Sequence, residues 1–371
     1  MNDDVTPPEE YPASLKVMGV GGGGGNAIRY LLDSHLPGVD FIVANTDRQA
    51  LGALPQEVAL PIGKQTTRGL GAGSDPAIGA RAAEESSEVL RARLAGGDML
   101  FLMVGMGGGT GSGAAPVIAA LAREMGLLTV AVVTRPFTFE GARRRQAAEE
   151  SIAALAEVVD SLVVVPNDRL LPTLGPNASM MRAFAEVNEI LRQAVSGIAE
   201  VITRPGLINV DFADVAAVMR HPGRARIGTG YGQGEDRARE AVVAAIEHPL
   251  LEATDLAEAA GVLVSITAGP DLTLEEFNEI GALVAEFASE EAMVMAGTAI
   301  DMAMSGELNL TLVATGLTVA REAPREPAVD APAQAAPHHG ARQSTRPALA
   351  SQGPATGELL DITRFLDDLK R

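Results

Sequence analysis

Two glycine-rich segments, each placed directly behind an apolar run, constrain the fold more than any other feature of the sequence. The first glycine segment, VMGVGGGGGNA at Val17–Ala27, holds five consecutive glycines, and the second is VGMGGGTGSGAAP at Val104–Pro116. Glycine loses more conformational freedom on folding than any other residue, so this density adds nothing to stability. Close packing of a helix against a strand explains one or two glycines in each segment. The others predict that a ligand approaches the backbone closely.

The sequence around these glycines alternates between two kinds of pattern from Ser14 to about Asn167. Five short apolar runs predict buried strands: LKVMGV, FIVANTD, MLFLMVG, LLTVAVVT and SLVVVPND. Amphipathic helical patterns lie between them, for example at Asp75–Leu94 and Arg144–Val158. This alternation predicts an α/β fold with a Rossmann-like parallel sheet, in which ligands bind beyond the carboxyl ends of the strands.

Each glycine segment runs from a predicted strand into a predicted helix, so both turns lie at the ligand-binding edge of the sheet. Backbone N–H groups at a helix N-terminus attract an anion, and the helix dipole adds to the attraction. Two such turns at one edge therefore predict a phosphate site that is built from main-chain amides.

Two common phosphate motifs do not account for the pattern. A Walker A loop requires Gly-Lys-Ser or Gly-Lys-Thr, and the only candidate is Gly63-Lys64-Gln65. A dinucleotide site needs one glycine fingerprint and a later acid, for which Asp40 or Asp47 would be available. The second glycine segment would then have no role, so a nicotinamide-dependent oxidoreductase is the less favoured alternative.

Charge and composition exclude several classes of partner. The formal charge is -19, whereas proteins that grip nucleic acid do so with clustered Lys and Arg. No apolar run approaches the roughly 20 residues that span a bilayer. The chain has no cysteine, which fits a reducing cytoplasm, and its acidic, proline-containing start does not resemble a signal peptide. We therefore expect a cytoplasmic protein without direct membrane insertion.

The rest of the chain predicts a long helix, a second α/β region and a polar C-terminal extension. Helix Met180–Thr203 carries one apolar face, and strand and helix patterns return between residues 211 and 316. After Thr318 the composition shifts to Ala, Pro, Gln and Ser, which cannot bury enough surface to fold. The predicted parts are a disordered N-terminal arm (1–13), a nucleotide-binding domain (14–179), a central helix (180–203), a smaller C-terminal α/β domain (204–318), a disordered linker (319–355) and a partner-binding tail (356–371).

Several motifs together resemble the signature set of the tubulin superfamily. They are GMGGGTGSG in the second glycine segment, NTD at Asn45–Asp47, GLGAG at Gly69–Gly73, PFTFEGARR at Pro136–Arg144 and ITRPGLINVDFADV at Ile202–Val215. The whole span from Ser14 to Leu317 is similar to the bacterial cell-division GTPases of that superfamily. The resemblance implies a protein that binds GTP or GDP with Mg²⁺, hydrolyses GTP, assembles with itself head to tail and forms a ring at the division site.

The resemblance also assigns roles to matching positions. It implies that the phosphates are held by Gly22, Gly23, Gly24, Gly25 and Asn26 and by Gly108, Gly109, Thr110 and Gly111. It implies that Glu140 and Arg144 contact the ribose and phosphate region, and that Phe184 and Asn188 hold guanine. The residues implied for hydrolysis are Asn209, Asp211 and Asp214, which lie in the segment 206–214, referred to below as the acid loop. No protein side chain is assigned as a metal ligand.

Local sequence alone leaves other interpretations of these residues open. Thr110 and Ser112 are also suitable helix caps, Phe184 also fits a hydrophobic core, and Asp211 and Asp214 also suit a helix start. A nucleotide-binding filament protein without significant hydrolysis is therefore the alternative function.

Distance along the central helix suggests where hydrolysis occurs. Ile202 lies 14 residues after Asn188, so the acid loop begins about 21 Å from the base. We therefore expect the acid loop of one molecule to close on the nucleotide of the next.

The last residues, 357–371, place Leu359, Ile362, Leu366 and Leu369 on one helical face. Such a peptide suits a groove in a partner. The resemblance implies that these partners are membrane anchors and regulators of division.

Overall fold

A computed structural model describes residues 13–32, 36, 38–175, 177–204, 206–251 and 256–317. The chain divides into two compact units, Met1–Ala320 and Arg321–Arg371, and all described residues belong to the first. The predicted N-terminal arm, apart from residue 13, lies outside the described residues, as do the whole linker and tail.

Ten strands in the described part of the chain form one sheet, in the order β3-β2-β1-β4-β5-β6-β7-β10-β8-β9. The strands are β1 (Leu15–Val20), β2 (Val39–Asn45), β3 (Ala59–Pro61), β4 (Met99–Gly105), β5 (Leu128–Arg135), β6 (Ser161–Pro166), β7 (Arg224–Gln233), β8 (Gly261–Ala268), β9 (Met293–Ile300) and β10 (Glu307–Leu317). Strands β1 to β6 pair in parallel, β10 runs antiparallel to β7 and β8, and β8 and β9 pair in parallel. This arrangement confirms the predicted Rossmann-like α/β fold.

Helices cover both faces of the sheet. The α-helices of the described residues are α1 (Gly21–Leu32), α2 (Arg48–Leu51), α3 (Pro76–Glu85), α4 (Ser87–Leu94), α5 (Thr110–Glu124), α6 (Ala142–Ala156), α7 (Leu171–Leu174), α8 (Met180–Thr203), α9 (Phe212–Met219), α10 (Arg237–Ile246) and α11 (Leu274–Phe287). Side chains of β1 alternate between two cores, because Val17 packs with α1 and α8 while Met18 packs with α4 and α5. A third core lies between β8, β10 and helices α10 and α11.

The sheet order brings the two glycine segments together. Strands β1 and β4 are direct neighbours, and Val20 at the end of β1 lies opposite Val104 near the end of β4. A Cβ atom added at Gly21, where φ is +72°, would lie 2.9 Å from the Gly111 nitrogen, so the two backbones touch. The fold thus places both glycine turns side by side, at the carboxyl ends of the neighbouring strands β1 and β4.

The central helix α8 links the nucleotide-binding part to the C-terminal part. It begins at the Ser179 cap, whose hydroxyl accepts the Arg182 N–H, and packs against α1, β8 and β10. Its buried face includes Val195 and Ile198, each of which stabilises the fold by about 1.5–3 kcal/mol. The helix ends at Thr203 because Arg204 is extended, as expected for a residue that precedes proline. The predicted long central helix is confirmed.

One local prediction was wrong, and one short strand was not predicted. The pattern at Asp75–Leu94 predicted one helix, but the structure has two helices that meet at Ser86, whose hydroxyl accepts the Gly63 N–H at 2.9 Å. This contact with a distant loop holds Ser86 at φ −102° and ψ 13°, outside the helical range. The sequence also gave no sign of β3, which has only three residues.

The C-terminal part continues the same sheet. Strand β7 pairs with β6 at Leu162–Arg224 and Val163–Ala225, and β10, β8 and β9 follow. The predicted α/β C-terminal region is confirmed. The predicted boundaries between parts of the chain, at residues 179, 203 and 318, stay predictions.

Candidate functional site

A cleft of about 360 Å³ opens at the carboxyl ends of β1 and β4. Its volume lies within the range of small-molecule sites, roughly 300–1,000 Å³. Eleven sequence-predicted site residues line it: Gly22, Gly23, Asn26, Gly108, Gly109, Thr110, Gly111, Glu140, Arg144, Phe184 and Asn188. The predicted phosphate, ribose and base contacts therefore converge on one cavity.

The phosphate end of the cleft consists of two helix N-termini. Helix α1 starts at Gly21 within the first glycine segment, and α5 starts at Thr110 after Gly109, which provides no side-chain cap. Gly22, Gly23 and Asn26 are exposed at this end. Uncapped amides and two helix dipoles suit this end of the cleft to an anion, although neither glycine segment contains lysine.

Gly24 and Gly25 lie in the first glycine segment but do not line the cleft. Both are buried, and a Cβ added at Gly24 would lie 2.3 Å from the Met103 carbonyl oxygen. A Cβ at Gly25 would lie 3.2 Å from Val43 Cγ1. These two glycines let α1 approach the sheet, so the segment divides into a part that lines the cleft and a part that packs against the sheet.

The hydroxyl groups of the second glycine segment are not simple helix caps. The Thr110 hydroxyl lies 2.6 Å from the Thr46 hydroxyl, and the Ser112 hydroxyl accepts the Gly107 N–H at 2.8 Å. Ser112 is buried and closes the loop from inside, whereas Thr110 lines the cleft. Only Thr110 is thus placed to meet a ligand.

The opposite wall of the cleft carries an aromatic ring and an amide. Phe184 is 41% exposed and packs edge-on against Phe137, with ring centroids 5.5 Å apart. The core interpretation of Phe184 therefore does not hold, because the ring presents a large exposed surface. Asn188 lies one helical turn further along α8, on the same face. An exposed ring beside an amide suits a planar, hydrogen-bonding base.

Glu189, which directly follows Asn188, is hydrogen-bonded to other side chains of α8. Glu189 accepts hydrogen bonds from Arg192 Nε at 2.8 Å and from Gln193 Nε2 at 3.0 Å. The bonded Arg192 guanidinium lowers the pKa of Glu189, so this carboxylate stays ionised and paired. Asn188 is therefore the polar side chain that this turn of α8 offers to the cleft.

Glu140 and Arg144 form a preorganised pair at the rim. Glu140 Oε1 accepts the Phe137 N–H at 2.9 Å, and Glu140 Oε2 accepts from Arg144 Nη1 at 2.7 Å. The Glu140 side chain is largely buried, while that of Arg144 is half exposed. The pair holds the guanidinium at the cleft with further N–H groups to offer an anion.

The sequence predictions missed some residues that line the cleft: Gly105, Met106, Thr134, Pro136, Asn167, Val187 and Leu191. Asn167 is the most informative because it is 4% exposed and its Oδ1 has no hydrogen-bond partner. A buried acceptor without a partner is costly, so this atom is suited to a ligand donor. Its position after β6, at the ligand-binding edge, was a signal that the sequence did contain.

The acid loop does not line this cleft. Asn209 and Asp211 are exposed, and Asp214 is partly exposed in the first turn of α9. Asn209 Oδ1 accepts the Gly206 N–H at 2.9 Å, and Asp211 sits at the N-cap of α9 without a side-chain capping bond. The structure thus brings most of the predicted binding residues together and leaves the three predicted catalytic residues elsewhere on its surface.

Comparison with known proteins shows to which family the chain belongs. The family model of the Tubulin/FtsZ family GTPase domain matches residues 14–175, and the family model of the FtsZ family C-terminal domain matches residues 223–318. The cell division protein FtsZ of Coxiella burnetii is 56% identical over 305 residues, which are 82% of this chain and 79% of the relative. The chain belongs to the FtsZ family. The FtsZ of Pseudomonas aeruginosa is 54% identical over 84% of this chain and 79% of its own length.

Solved structures agree with membership in the FtsZ family. An empty FtsZ dimer from M. jannaschii matches with a TM-score of 0.79 and 43% identity, over 83% of this chain and 89% of that one. CetZ2 from Haloferax volcanii, a GTPγS-bound protofilament, matches with a TM-score of 0.69 and 25% identity, over 82% of this chain and 94% of that one. The resemblance that the motifs predicted is confirmed: the chain is a tubulin-like protein with an FtsZ-family GTPase domain.

Among the residues that the structure describes, no helix is both long and apolar enough to cross a membrane. The same residues contain no group of three or more His, Cys, Asp and Glu side chains arranged to hold a metal ion.

Proposed function

We propose that this chain binds and hydrolyses GTP in head-to-tail filaments, with the acid loop of one subunit closing the nucleotide cleft of the next. The observation that carries the proposal is the length of unbroken helix between the two parts. Helix α8 runs without interruption from Asn188 at the cleft past Ile202, a rise of about 21 Å over 14 residues. A hydrogen bond spans only about 3 Å, so the acid-loop carboxylates do not reach a nucleotide bound in the cleft of their own chain. They act instead on the nucleotide of the neighbouring subunit.

In this proposal the cleft binds GTP through three kinds of contact. The amides of the two glycine segments, the Thr110 hydroxyl and the Arg144 guanidinium hold the phosphates. Phe184 stacks on guanine, and Asn188 binds the polar edge of the base. The unpartnered Oδ1 of Asn167 accepts a hydrogen bond from the base or the ribose.

Magnesium fits this donor set as a companion of the phosphates. Mg²⁺ is usually bound by one or two protein oxygens together with phosphates and water, and the Thr110 hydroxyl is such an oxygen at the phosphate end. When bound, the ion offsets charge on the phosphates, a task that no lysine performs in either glycine segment. No all-protein cage is needed for this role.

The acid loop supplies the groups that act on water. Asp211 and Asp214 would orient and polarise a water molecule for in-line attack on the γ-phosphorus, which breaks the bond to the GDP leaving group. Asp211 is suited to this task because its exposed carboxylate is not engaged in capping α9. Asn209 keeps its own oxygen inside the loop and would support the site through its amide donors.

Exposed apolar side chains near both regions support assembly through two different surfaces. Leu207 in the acid loop is 68% exposed, Met181 in the first turn of α8 is 84% exposed, and Leu70 in the GLGAG loop is 85% exposed. Exposed apolar side chains at the two ends of α8 fit a heterologous contact, which produces filaments when it does not close into a ring of subunits. The dimer and protofilament forms of the related solved structures are consistent with such assembly.

Phosphate release as a function of protein concentration tests the proposal. We expect turnover per molecule to rise steeply as subunits assemble, and Asp211→Ala to retain GTP binding while losing turnover by about 100-fold or more. Asp236→Ala is a matched control, since Asp236 is also an exposed N-cap acid without a side-chain cap bond. Turnover that is independent of concentration, or full activity of Asp211→Ala, would contradict the proposal.

The cellular role follows from family membership and remains part of the proposal. Filaments of this chain would form the cytokinetic ring on the cytoplasmic side of the division site. Residues 357–371 would dock in membrane-anchoring and regulatory division proteins, because their sequence has an amphipathic helical pattern.

A further inference from the structure

One threonine of β9 holds the backbone of the acid loop. The Thr298 hydroxyl oxygen accepts the Leu207 N–H at 2.8 Å and the Ile208 N–H at 2.9 Å. The Thr298 N–H donates to the Ile208 carbonyl oxygen at 2.9 Å. Thr298 is only 1% exposed, so the accepting hydroxyl is buried, while the two hydrogen bonds are partly buried. Two successive amides of the loop therefore depend on one buried hydroxyl.

Close packing surrounds this anchor on both sides. A Cβ added at Gly206 would lie 1.7 Å from the Thr298 carbonyl oxygen, and a Cβ added at Gly297 would lie 2.6 Å from Val210 Cγ2. The loop backbone and β9 thus approach each other as closely as glycine allows. Asp211 follows Val210 directly, so its position is set by a segment that is docked on β9.

A hydroxyl is not needed here for the strand itself. Valine matches threonine in shape and is equally suited to a strand, and Thr298 does not line the nucleotide cleft. Replacing its hydroxyl with a methyl would leave the Leu207 and Ile208 amides without their acceptor, at a cost that loop movement would relieve. The polar side chain at this position therefore acts on the loop.

We propose that Thr298 is a positioning residue for GTP hydrolysis, which fixes the acid loop so that Asp211 and Asp214 meet the phosphates of the neighbouring subunit. The inference rests on the proposed function, because it assumes that the acid loop acts on a neighbour's nucleotide. Thr298 itself touches neither the nucleotide nor the attacking water. It acts through the geometry of residues 207–211.

The test compares Thr298→Val with Thr298→Ser. At saturating GTP and high protein concentration, we expect Thr298→Val to lower turnover per subunit by about 10- to 100-fold, since displacements of about 1 Å reduce catalysis on that scale. The GTP dissociation constant should change less than about twofold, because the cleft is built from other residues. Turnover is divided by the amount of pelleted polymer, so that a change in assembly is not counted as lost catalysis. Thr298→Ser keeps the hydroxyl and should restore most of the turnover.

Hydrogen exchange provides a second measurement. The Leu207 and Ile208 amides should exchange faster in Thr298→Val, while exchange in α1 and α5 stays unchanged. If Thr298→Val fails to fold, Gly206→Ala tests the same docking from the loop side, since its methyl group must displace the loop from Thr298. The expected result is again lost turnover with retained GTP binding.

Several outcomes would overturn the inference. They are full turnover per pelleted subunit in Thr298→Val or, where that variant does not fold, in Gly206→Ala; a parallel loss of GTP affinity; and failure of Thr298→Ser to recover activity. Asp211→Ala, assayed alongside, separates this result from failure of the proposed function. Full activity of Asp211→Ala would refute catalysis by the acid loop, whereas inactive Asp211→Ala beside fully active Thr298→Val would refute only the role of Thr298.

Discussion

The side-chain hydroxyl oxygens of Thr46 and Thr110 lie 2.6 Å apart, so a hydrogen bond joins the end of β2 to the first residue of α5. Thr46 is buried, and its carbonyl oxygen accepts the Thr67 hydroxyl and the Gly71 N–H, each at 3.2 Å. The second glycine segment and the loop that carries GLGAG are therefore tied to the same residue.

Replacing Thr46 should weaken nucleotide binding without altering the fold. Thr46→Val keeps the side-chain shape but removes the partner that orients the Thr110 hydroxyl, a loss of about 1 kcal/mol or about fivefold in affinity. Thr46→Ser retains the hydroxyl and serves as the control. Equilibrium binding of GTP checks the prediction, and equal affinities of the Val and Ser variants would contradict it.

Gly22 and Gly24 should respond differently to replacement by alanine, because one lines the cleft and the other packs against the sheet. Gly24→Ala places a methyl group 2.3 Å from the Met103 carbonyl oxygen, so the free energy of unfolding should fall by about 1–3 kcal/mol. Gly22→Ala meets no heavy atom within 4 Å, so the fold should be kept, but its methyl group enters the cleft and should weaken GTP binding about tenfold. Urea unfolding and GTP titration of both variants give the test. Similar effects of the two substitutions would show that the division into packing and binding glycines is wrong.

Asn167 should contribute to binding more than to folding. Its Oδ1 has no hydrogen-bond partner, so Asn167→Ala removes a buried acceptor that is unsatisfied without ligand. We expect the GTP dissociation constant to rise about three- to tenfold, and the free energy of unfolding without nucleotide to change by less than about 1 kcal/mol. Thermal unfolding with and without GTP measures both quantities. A large loss of stability without nucleotide would mean that Asn167 is a structural residue.

Deleting residues 357–371 should separate partner binding from enzymatic activity. We expect the truncated chain to hydrolyse GTP at the wild-type rate and to lose affinity for the membrane-anchoring division protein of the same organism. Removing residues 330–344, a segment of equal length in the predicted linker, is the matched control. Surface plasmon resonance with the purified anchor protein checks the outcome. Undiminished affinity of the truncated chain would contradict the docking role.

The sequence was informative wherever local pattern and structure coincide. The apolar runs of β1, β4, β5 and β6 are buried strands, and both glycine segments begin helices at the predicted edge. The apolar face of α8 and its end at Thr203 also follow from nearby residues. These features depend on spacing and on proline and glycine, which act over a few residues.

Features that depend on distant contacts were not predictable in the same way. The break at Ser86 needs the Gly63 amide, and the packing role of Gly24 needs the Met103 carbonyl oxygen. The anchor at Thr298 lies about 90 residues from the loop it holds, so no local pattern marks it. Sequence spacing predicted which groups could form the cleft, whereas the supporting contacts became visible only in the fold.

A histidine in the C-terminal part should make stability depend on pH. Burial lowers the pKa of His248 below its usual value of 6.5, and its Nδ1 accepts the Leu250 N–H at 3.3 Å, which requires the neutral ring. The unfolded chain therefore binds a proton more readily than the folded one, so this contribution to stability is present above about pH 6.5 and is lost as the pH falls through the lower folded pKa. His248→Asn keeps an acceptor but does not titrate. Between about pH 7.5 and 5.5, urea unfolding of the wild type should show a larger loss of stability than that of His248→Asn. Equal losses would mean that folding does not lower the pKa of His248.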